Sequence, residues 1–110
     1  MHLPNPERAV VDIAKLRDYC LNADHPRGRH KARLFVAALG LVADDAAELR
    51  DIFLSAIDSL EAIQGMSDAY GKRYTVDIPI NRSGRHAMVR TAWIVKTGED
   101  FPRLTSCFVP

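Results

Sequence analysis

A short basic segment near the end of the first third of the chain contains the residues best suited to chemistry. Between His25 and Arg33 there are four lysines and arginines, two histidines and no acidic residue. On a helical wheel at about 100° per residue, Lys31 falls among the apolar positions, between Leu34 and Phe35. There its ammonium and the N–H groups of the first helical turn would together attract a phosphate. The alternative is a lysine whose stem packs on the core while its amine reaches water.

His30 lies at the edge of the same apolar arc, beside the basic cluster. An imidazole titrates near neutral pH, so it can take a proton from a ribose 2′-OH or give one to a leaving 5′ oxygen. A purely structural histidine is the alternative. His30 is therefore the first candidate for a general acid or base.

The last third of the chain offers a second group of candidates, because its residues alternate as in β-strands. On the middle predicted strand, Val89, Thr91 and Trp93 form the better core face, and Arg90 points the other way among apolar neighbours. The more polar phases of the flanking strands are Arg73, Thr75 and Asp77 on one and Arg103, Thr105 and Cys107 on the other. If these phases share a face, guanidinium and hydroxyl groups meet there, a combination that suits a phosphodiester. A solvated polar face is the alternative.

Metal and nucleotide-cofactor sites are not indicated. Cys20 and Cys107 lie on distant elements, and no histidine, cysteine or aspartate pair has the spacing of metal ligands. There is no glycine-rich nucleotide loop and no Gly-x-Ser-x-Gly elbow. We therefore expect no metal and no cofactor. Two unpaired cysteines favour a reduced, cytoplasmic chain.

Membrane association is also not indicated. The longest apolar run, Leu34 to Leu39, is far shorter than the roughly 20 residues of a membrane span. The first six residues contain two prolines and no apolar stretch, so we expect no signal peptide.

The elements that must position these side chains follow from periodicity and breakers. With 110 residues, 47% apolar and 26% charged, we expect one globular domain spanning residues 1–110.

The predicted helices are Ile13–Leu21, Arg29–Leu39 ending at Gly40, and one from Asp44 or Asp45 to about Ser59. The predicted strands are Tyr74–Ile80, Arg85–Lys96 and Leu104–Val109, with a loop over Gln64–Gly71. Val10 and Val11 fit either a short edge strand or a docked segment. The order is α+β: about three N-terminal helices, then an antiparallel three-strand meander.

The net charge of +1 hides an uneven distribution. From Asp44 to Glu61 there are six acidic residues and one basic residue, whereas the beginning and end of the chain are basic. A local basic zone can hold phosphates even on a neutral protein, and ordinary solvated faces are the alternative.

Several segments resemble a known family of small, poorly characterised bacterial domains. The resemblance lies in Leu21–Arg33, Ala38–Gly40, Tyr70–Tyr74, Thr91–Val95 and Arg103–Ser106. Members occur as stand-alone proteins, at the C-terminal ends of polymorphic and contact-dependent toxins, and in phage head-associated proteins. The order of helices and sheet is also similar to the fold of barnase, EndoU, colicin-type tRNases and RelE-like toxins.

The resemblance implies a metal-independent endoribonuclease toxin, in which the ribose 2′-OH attacks the adjacent phosphate. In that hypothesis His30 is the general acid or base, Lys31 and Arg90 stabilise the transition state, and Thr105 positions the substrate. The substrate-binding candidates are Tyr70, Arg33, Arg73 and Arg103. The sheet has no glutamate for a barnase-like base, so either Asp77 or His30 would replace it or the geometry of the RNA itself would do most of the work. The partners implied are an RNA substrate and a cognate antitoxin or immunity protein.

Two other functions fit the sequence. The acidic third helix favours a non-catalytic interaction module, such as an antitoxin, an immunity protein or an adaptor. A nucleic-acid binder without cleavage is the third possibility, and its binding would depend strongly on salt.

Overall fold

Helical segments fill the first half of the chain, and the computed structural model covers residues 1–110. A 3-10 turn (Pro6–Arg8) precedes helix α1 (Ile13–Lys15), which continues as a π-helical turn (Leu16–Cys20). Helix α2 spans Arg29–Leu39, and a second 3-10 turn (Ala43–Asp45) leads into helix α3 (Ala46–Ala56). None of the helices combines the length and the apolar character that crossing a membrane requires.

One four-stranded antiparallel sheet forms the second half. Its strands are β1 (Ile63–Asp68), β2 (Gly71–Arg82), β3 (Arg85–Lys96) and β4 (Arg103–Phe108), paired in the order β1-β2-β3-β4. The predicted α+β class is confirmed. The predicted bounds of the second helix and the middle strand are also confirmed, because both have strong end signals. Val10 forms a single parallel bridge to Arg103 beside β4, rather than a strand of its own.

The first helical segment is fixed at both ends. The Asp12 side chain accepts a hydrogen bond from the Ala14 N–H at 2.9 Å, the N-cap contact that its position predicts. At the other end, the π-helical turn packs against the start of α2. A Cβ added to Gly28 would lie 2.3 Å from the Tyr19 carbonyl oxygen, so only glycine allows this approach. Tyr19 is thereby held close to the first turn of α2.

Strand β1 corrects the predicted loop over Gln64–Gly71. All six of its residues are exposed, and its register with β2 shifts between Gln64 and Ser67. With no buried phase and with a glycine at position 65, the segment shows no alternation from which a strand could be predicted. Its strand conformation comes from pairing with β2, which is a tertiary contribution.

A β-bulge in β4 corrects the predicted alternation of that strand. Ala92 pairs with Ser106 while Trp93 pairs with Leu104, so Thr105 has no partner on β3. One extra residue reverses the alternation of side chains beyond it. Cys107 is therefore fully buried and does not belong to the predicted polar phase, whereas Arg103 lies on the outer face and Thr105 is exposed.

The helices and one face of the sheet enclose the core, whose largest fully buried side chains include Trp93, Phe35 and Phe53. Thr91 is the one buried polar residue, and it is fully satisfied. Its Oγ1 donates to the Val76 carbonyl at 2.7 Å and accepts from Trp93 Nε1 at 2.8 Å. The predicted core face of β3 is thus confirmed.

Arg82 joins the β2–β3 hairpin to the helices. Its guanidinium donates to Glu48 at 2.7 Å and to the carbonyl oxygens of Leu39 and Gly40 at 3.0 and 3.2 Å. Gly40 has a φ of 67° and ends α2 in the left-handed conformation, as predicted. Arg82 therefore binds the C-terminal end of α2 and contacts α3, while Arg85 donates to the Val36 carbonyl of the same end at 3.1 Å.

We expect Arg82→Ala to lower the free energy of unfolding by about 1.5–3 kcal/mol, because it leaves partly buried carbonyl oxygens without a charged donor. Urea unfolding followed by circular dichroism measures this loss. Arg50→Ala is the matched control, since Arg50 pairs only with its exposed neighbour Asp51 and should cost less than about 1 kcal/mol. Equal losses for the two variants would contradict the role given to Arg82.

Candidate functional site

Lys31 points from the first turn of α2 toward β4, as the helical wheel predicts. Its Nζ donates to Ser106 Oγ at 3.0 Å. The same nitrogen lies 5.7 Å from the ring centroid of Tyr19 and 5.4 Å from that of Phe108. No carboxylate lies within ion-pair distance of it. The amine is therefore held in place by a hydroxyl and two aromatic faces, which leave its charge unneutralised.

A pocket of about 460 Å³ opens over this amine. Its lining residues are Lys15, Tyr19, Lys31, Thr105 and Ser106. Two ammonium groups, two hydroxyls and one phenol surround the space, and no carboxylate does. Such a set of groups favours an anion, and hydrogen-bond donors with positive charge are what phosphate oxygens require.

A second pocket, of about 220 Å³, shares Lys15 and Thr105 with the first and continues along β4. It adds Lys96 and Arg103 to the lining, together with Asp12. We call the two pockets together the edge groove. Lys15, Lys31 and Lys96 have no acidic partner there, whereas Asp12 caps α1. The edge groove is consequently lined by several positive charges in a row.

Arg90 lies on the outer face of the sheet and does not line the pocket over Lys31. Its guanidinium donates to both carboxylate oxygens of Asp77, at 2.9 and 3.1 Å. This hydrogen bond from Arg90, opposed by partial burial, lowers the pKa of Asp77 below its ordinary value. The expected apolar surroundings of Arg90 are wrong, because Asp77 lies directly opposite it in the β2–β3 register. Both groups are engaged in a surface ion pair.

His30 and Arg33 are exposed on α2 and line none of the pockets. The helical period that places Lys31 on the face toward the sheet places Arg33 on the opposite face. The structure therefore brings Lys31 and Thr105 together but leaves His30 and Arg90 outside their pocket.

The other predicted substrate-binding residues also lie apart from the pocket over Lys31. Tyr70 is 75% exposed at the β1–β2 turn. Arg73 pairs with Asp68 at 2.7 Å, and Arg103 pairs with Glu99 at 2.9 Å. Arg73 and Arg103 do share the outer face, one on each side of β3. Both arginines are therefore paired with carboxylates. Arg103 lies at the far end of the edge groove and is the nearer of the two to the candidate site.

Three pocket residues were missed by sequence reasoning: Lys15, Tyr19 and Ser106. Lys15 and Tyr19 are four residues apart on one helical face, a spacing that could have suggested a joint role. Ser106 had no such signal, because its place beside Lys31 depends on the bulge at Thr105.

Comparison with family models finds a match over nearly the whole chain. A family model described as Domain of unknown function (DUF6883) matches residues 2–110. The chain belongs to this family. No curated protein and no solved structure matches the DUF6883 chain. The match covers all the segments on which the sequence resemblance depends.

The DUF6883 domain has no group of three or more histidine, cysteine, aspartate or glutamate side chains that could hold a metal ion. The groups that line the pocket over Lys31 are amines, hydroxyls and a phenol. These groups bind anions and transfer protons.

Proposed function

We propose that the DUF6883 domain binds RNA in the edge groove and cleaves it without a metal, by attack of a ribose 2′-OH on the adjacent phosphate. The observation that supports this most is the unneutralised Lys31 ammonium, fixed against Ser106 in a pocket with a second lysine and a second hydroxyl.

The pocket supplies groups for the charge that develops on the phosphate. Lys31 uses one of its three N–H donors on Ser106, so two remain for phosphate oxygens. Ser106 Oγ accepts that hydrogen bond, which leaves its own O–H free to donate. Lys15 adds a second positive charge. Because the transition state holds more negative charge than the bound ground state, these groups stabilise it selectively.

Thr105 has a different part in the proposed reaction. Its Oγ1 already donates to the Ala92 carbonyl at 3.0 Å, so it can only accept a further hydrogen bond. A ribose 2′-OH is a donor that would fit this acceptor. Thr105 is therefore assigned to orienting the nucleophile.

Two proton transfers complete the reaction. The 2′-OH loses its proton as its oxygen bonds to phosphorus, and the leaving 5′ oxygen gains a proton as the P–O5′ bond breaks. His30 and Asp77, the bases expected from the sequence, lie outside the pocket. We assign the second transfer to Tyr19, whose phenol lines the pocket beside Lys31 and donates its proton to the leaving 5′ oxygen. A solvent water takes the proton of the 2′-OH, and solvent returns a proton to the tyrosinate. The products are a 2′,3′-cyclic phosphate and a 5′-hydroxyl.

Incubation of the purified chain with total RNA and with tRNA tests this function. We expect discrete cleavage products with 2′,3′-cyclic phosphate ends, in equal yield with and without EDTA. Inducible expression should slow growth while the same RNA is cut in the cell. Intact RNA, or cleavage abolished by EDTA, would contradict the proposal, and salt-sensitive binding without products would reduce it to RNA binding.

Strand β1 favours a second candidate function, a non-catalytic interaction module such as an antitoxin, an immunity protein or an adaptor. β1 is an edge strand, and Ile63 and Met66 on it are 70% and 69% exposed. An unpaired edge with apolar side chains can add an extended segment of a partner as a further strand. Normal growth and intact RNA on expression would favour this candidate over the ribonuclease. The same edge would serve a cognate inhibitor if the ribonuclease function holds.

A further inference from the structure

Two buried thiols meet beneath the pocket over Lys31. Cys20 ends the π-helical turn and Cys107 lies in β4, and both are free and fully buried in the same core cluster. Lys31 contacts the chain neighbours of both, since it lies over the Tyr19 ring and donates to Ser106 Oγ. The contacts of a single amine therefore place the two cysteines on facing elements at one point.

The π-helical turn and β4 contact each other, and each contributes one cysteine to the same core cluster. The two thiols are close enough to shift each other's pKa. Thiols on two contacting elements need only a small movement to reach disulfide geometry.

We propose that Cys20 and Cys107 are a reactive thiol pair that a peroxide oxidises to an intramolecular disulfide, crosslinking the π-helical turn to β4. The thiol chemistry does not depend on the proposed RNA cleavage. It would join elements near the two ends of the chain, beneath the residues that line the pocket over Lys31.

The surroundings give the two cysteines different roles. The hydrogen bond from Cys107, and then the positive charges of Lys31 and Lys15, lower the pKa of Cys20 to about 7 against the opposing effect of burial. The hydrogen bond to Cys20 and burial raise the pKa of Cys107. Because Cys20 shares its helical segment with Lys15 and directly follows Tyr19, which Lys31 contacts, we assign the attack on the oxidant to Cys20 and the resolving step to Cys107.

The oxidation balances with one molecule of hydrogen peroxide. The Cys20 thiolate attacks one peroxide oxygen, the O–O bond breaks, and the leaving hydroxide takes up a proton to become water. Cys20 is now a sulfenic acid. Cys107 then loses its proton, its sulfur attacks Cys20 Sγ, and the S–O bond breaks, releasing a second water. Both sulfurs are oxidised and the peroxide is reduced.

Intact-mass analysis of the full chain tests the pair. The reduced chain is treated with hydrogen peroxide, with free glutathione present as an internal standard, and is then denatured and labelled with N-ethylmaleimide. We expect a monomer lighter by two hydrogen atoms that takes up no maleimide, and two labels after dithiothreitol. Two labels per chain after peroxide has consumed the glutathione, or disulfides found only between chains, would overturn the proposal.

Single variants check the assignment of roles. Cys107→Ser leaves Cys20 without a resolving thiol, so the chain should gain one or more oxygen atoms instead of losing hydrogens. Cys20→Ser should keep a Cys107 that still takes one label after the same treatment. The wild-type measurement tests the proposal by itself, even if one of the variants folds poorly. Oxygen added to Cys20→Ser but not to Cys107→Ser would overturn the assignment.

Discussion

Lys31→Ala is expected to lower the rate of RNA cleavage by roughly a hundredfold or more, the usual cost of removing one preorganised charge stabiliser. The variant removes the amine that bridges α2 and β4 and leaves the pocket with one lysine. The loss should appear mainly in kcat, because the charge it stabilises develops in the transition state. Cleavage of a defined oligonucleotide under single-turnover and steady-state conditions measures both parameters.

Two neighbours on the same helix are matched controls for Lys31. His30→Ala and Arg33→Ala alter exposed side chains that do not line the pocket, and we expect both to cleave RNA at the wild-type rate. All three variants should show the wild-type circular dichroism spectrum and Tm. A loss in His30→Ala as large as that in Lys31→Ala would return the general acid or base to His30 and refute the assignment to Tyr19.

Trp93→Ala should produce the largest loss of stability, about 3–5 kcal/mol. The indole on β3 is fully buried, and its removal leaves a cavity between the helices and the sheet. The Thr91 hydroxyl also loses the hydrogen bond that it accepts from Trp93 Nε1. Since the free energy of unfolding of a domain of this size is roughly 5–15 kcal/mol, the substitution removes a substantial part of it. Urea unfolding measures the difference.

Two further variants separate packing from hydrogen bonding at this position. Thr91→Val keeps the shape but leaves the indole N–H without its acceptor, and should cost about 1–3 kcal/mol. Met88→Ala, on the exposed face of the same strand, should stay within about 0.5 kcal/mol of wild type. The account of the core would be wrong if Met88→Ala destabilised the domain as much as Trp93→Ala.

Helix α2 and strand β3 could be predicted to the residue because several local signals coincide at their ends. A glycine and a left-handed residue bracket α2, and strong turn residues bracket β3. The inward direction of Lys31 was also predictable, since it requires only the helical period. The local sequence was therefore sufficient to predict the ends of α2 and β3 and the direction of Lys31.

The features that could not be predicted depend on pairing between segments that are distant in the sequence. Strand β1 exists because β2 pairs with it, and its own residues are all exposed. The ion pair of Arg90 with Asp77 depends on the β2–β3 register, and the contact of Lys31 with Ser106 depends on the bulge. No local pattern encodes a register between two strands, so the predicted convergence of Lys31 with Arg90 could not be checked from the sequence.

The unpartnered Thr105 links the two kinds of chemistry proposed for this domain. Because β4 is one residue longer than the stretch of β3 opposite it, Ser106 meets an amine while Cys107 meets a sulfur. If β4 paired regularly and kept Thr105, Ser106 would lie opposite Thr91 and Cys107 opposite Arg90, so both side chains would change faces of the sheet. The anion pocket and the thiol pair therefore depend on the same bulge.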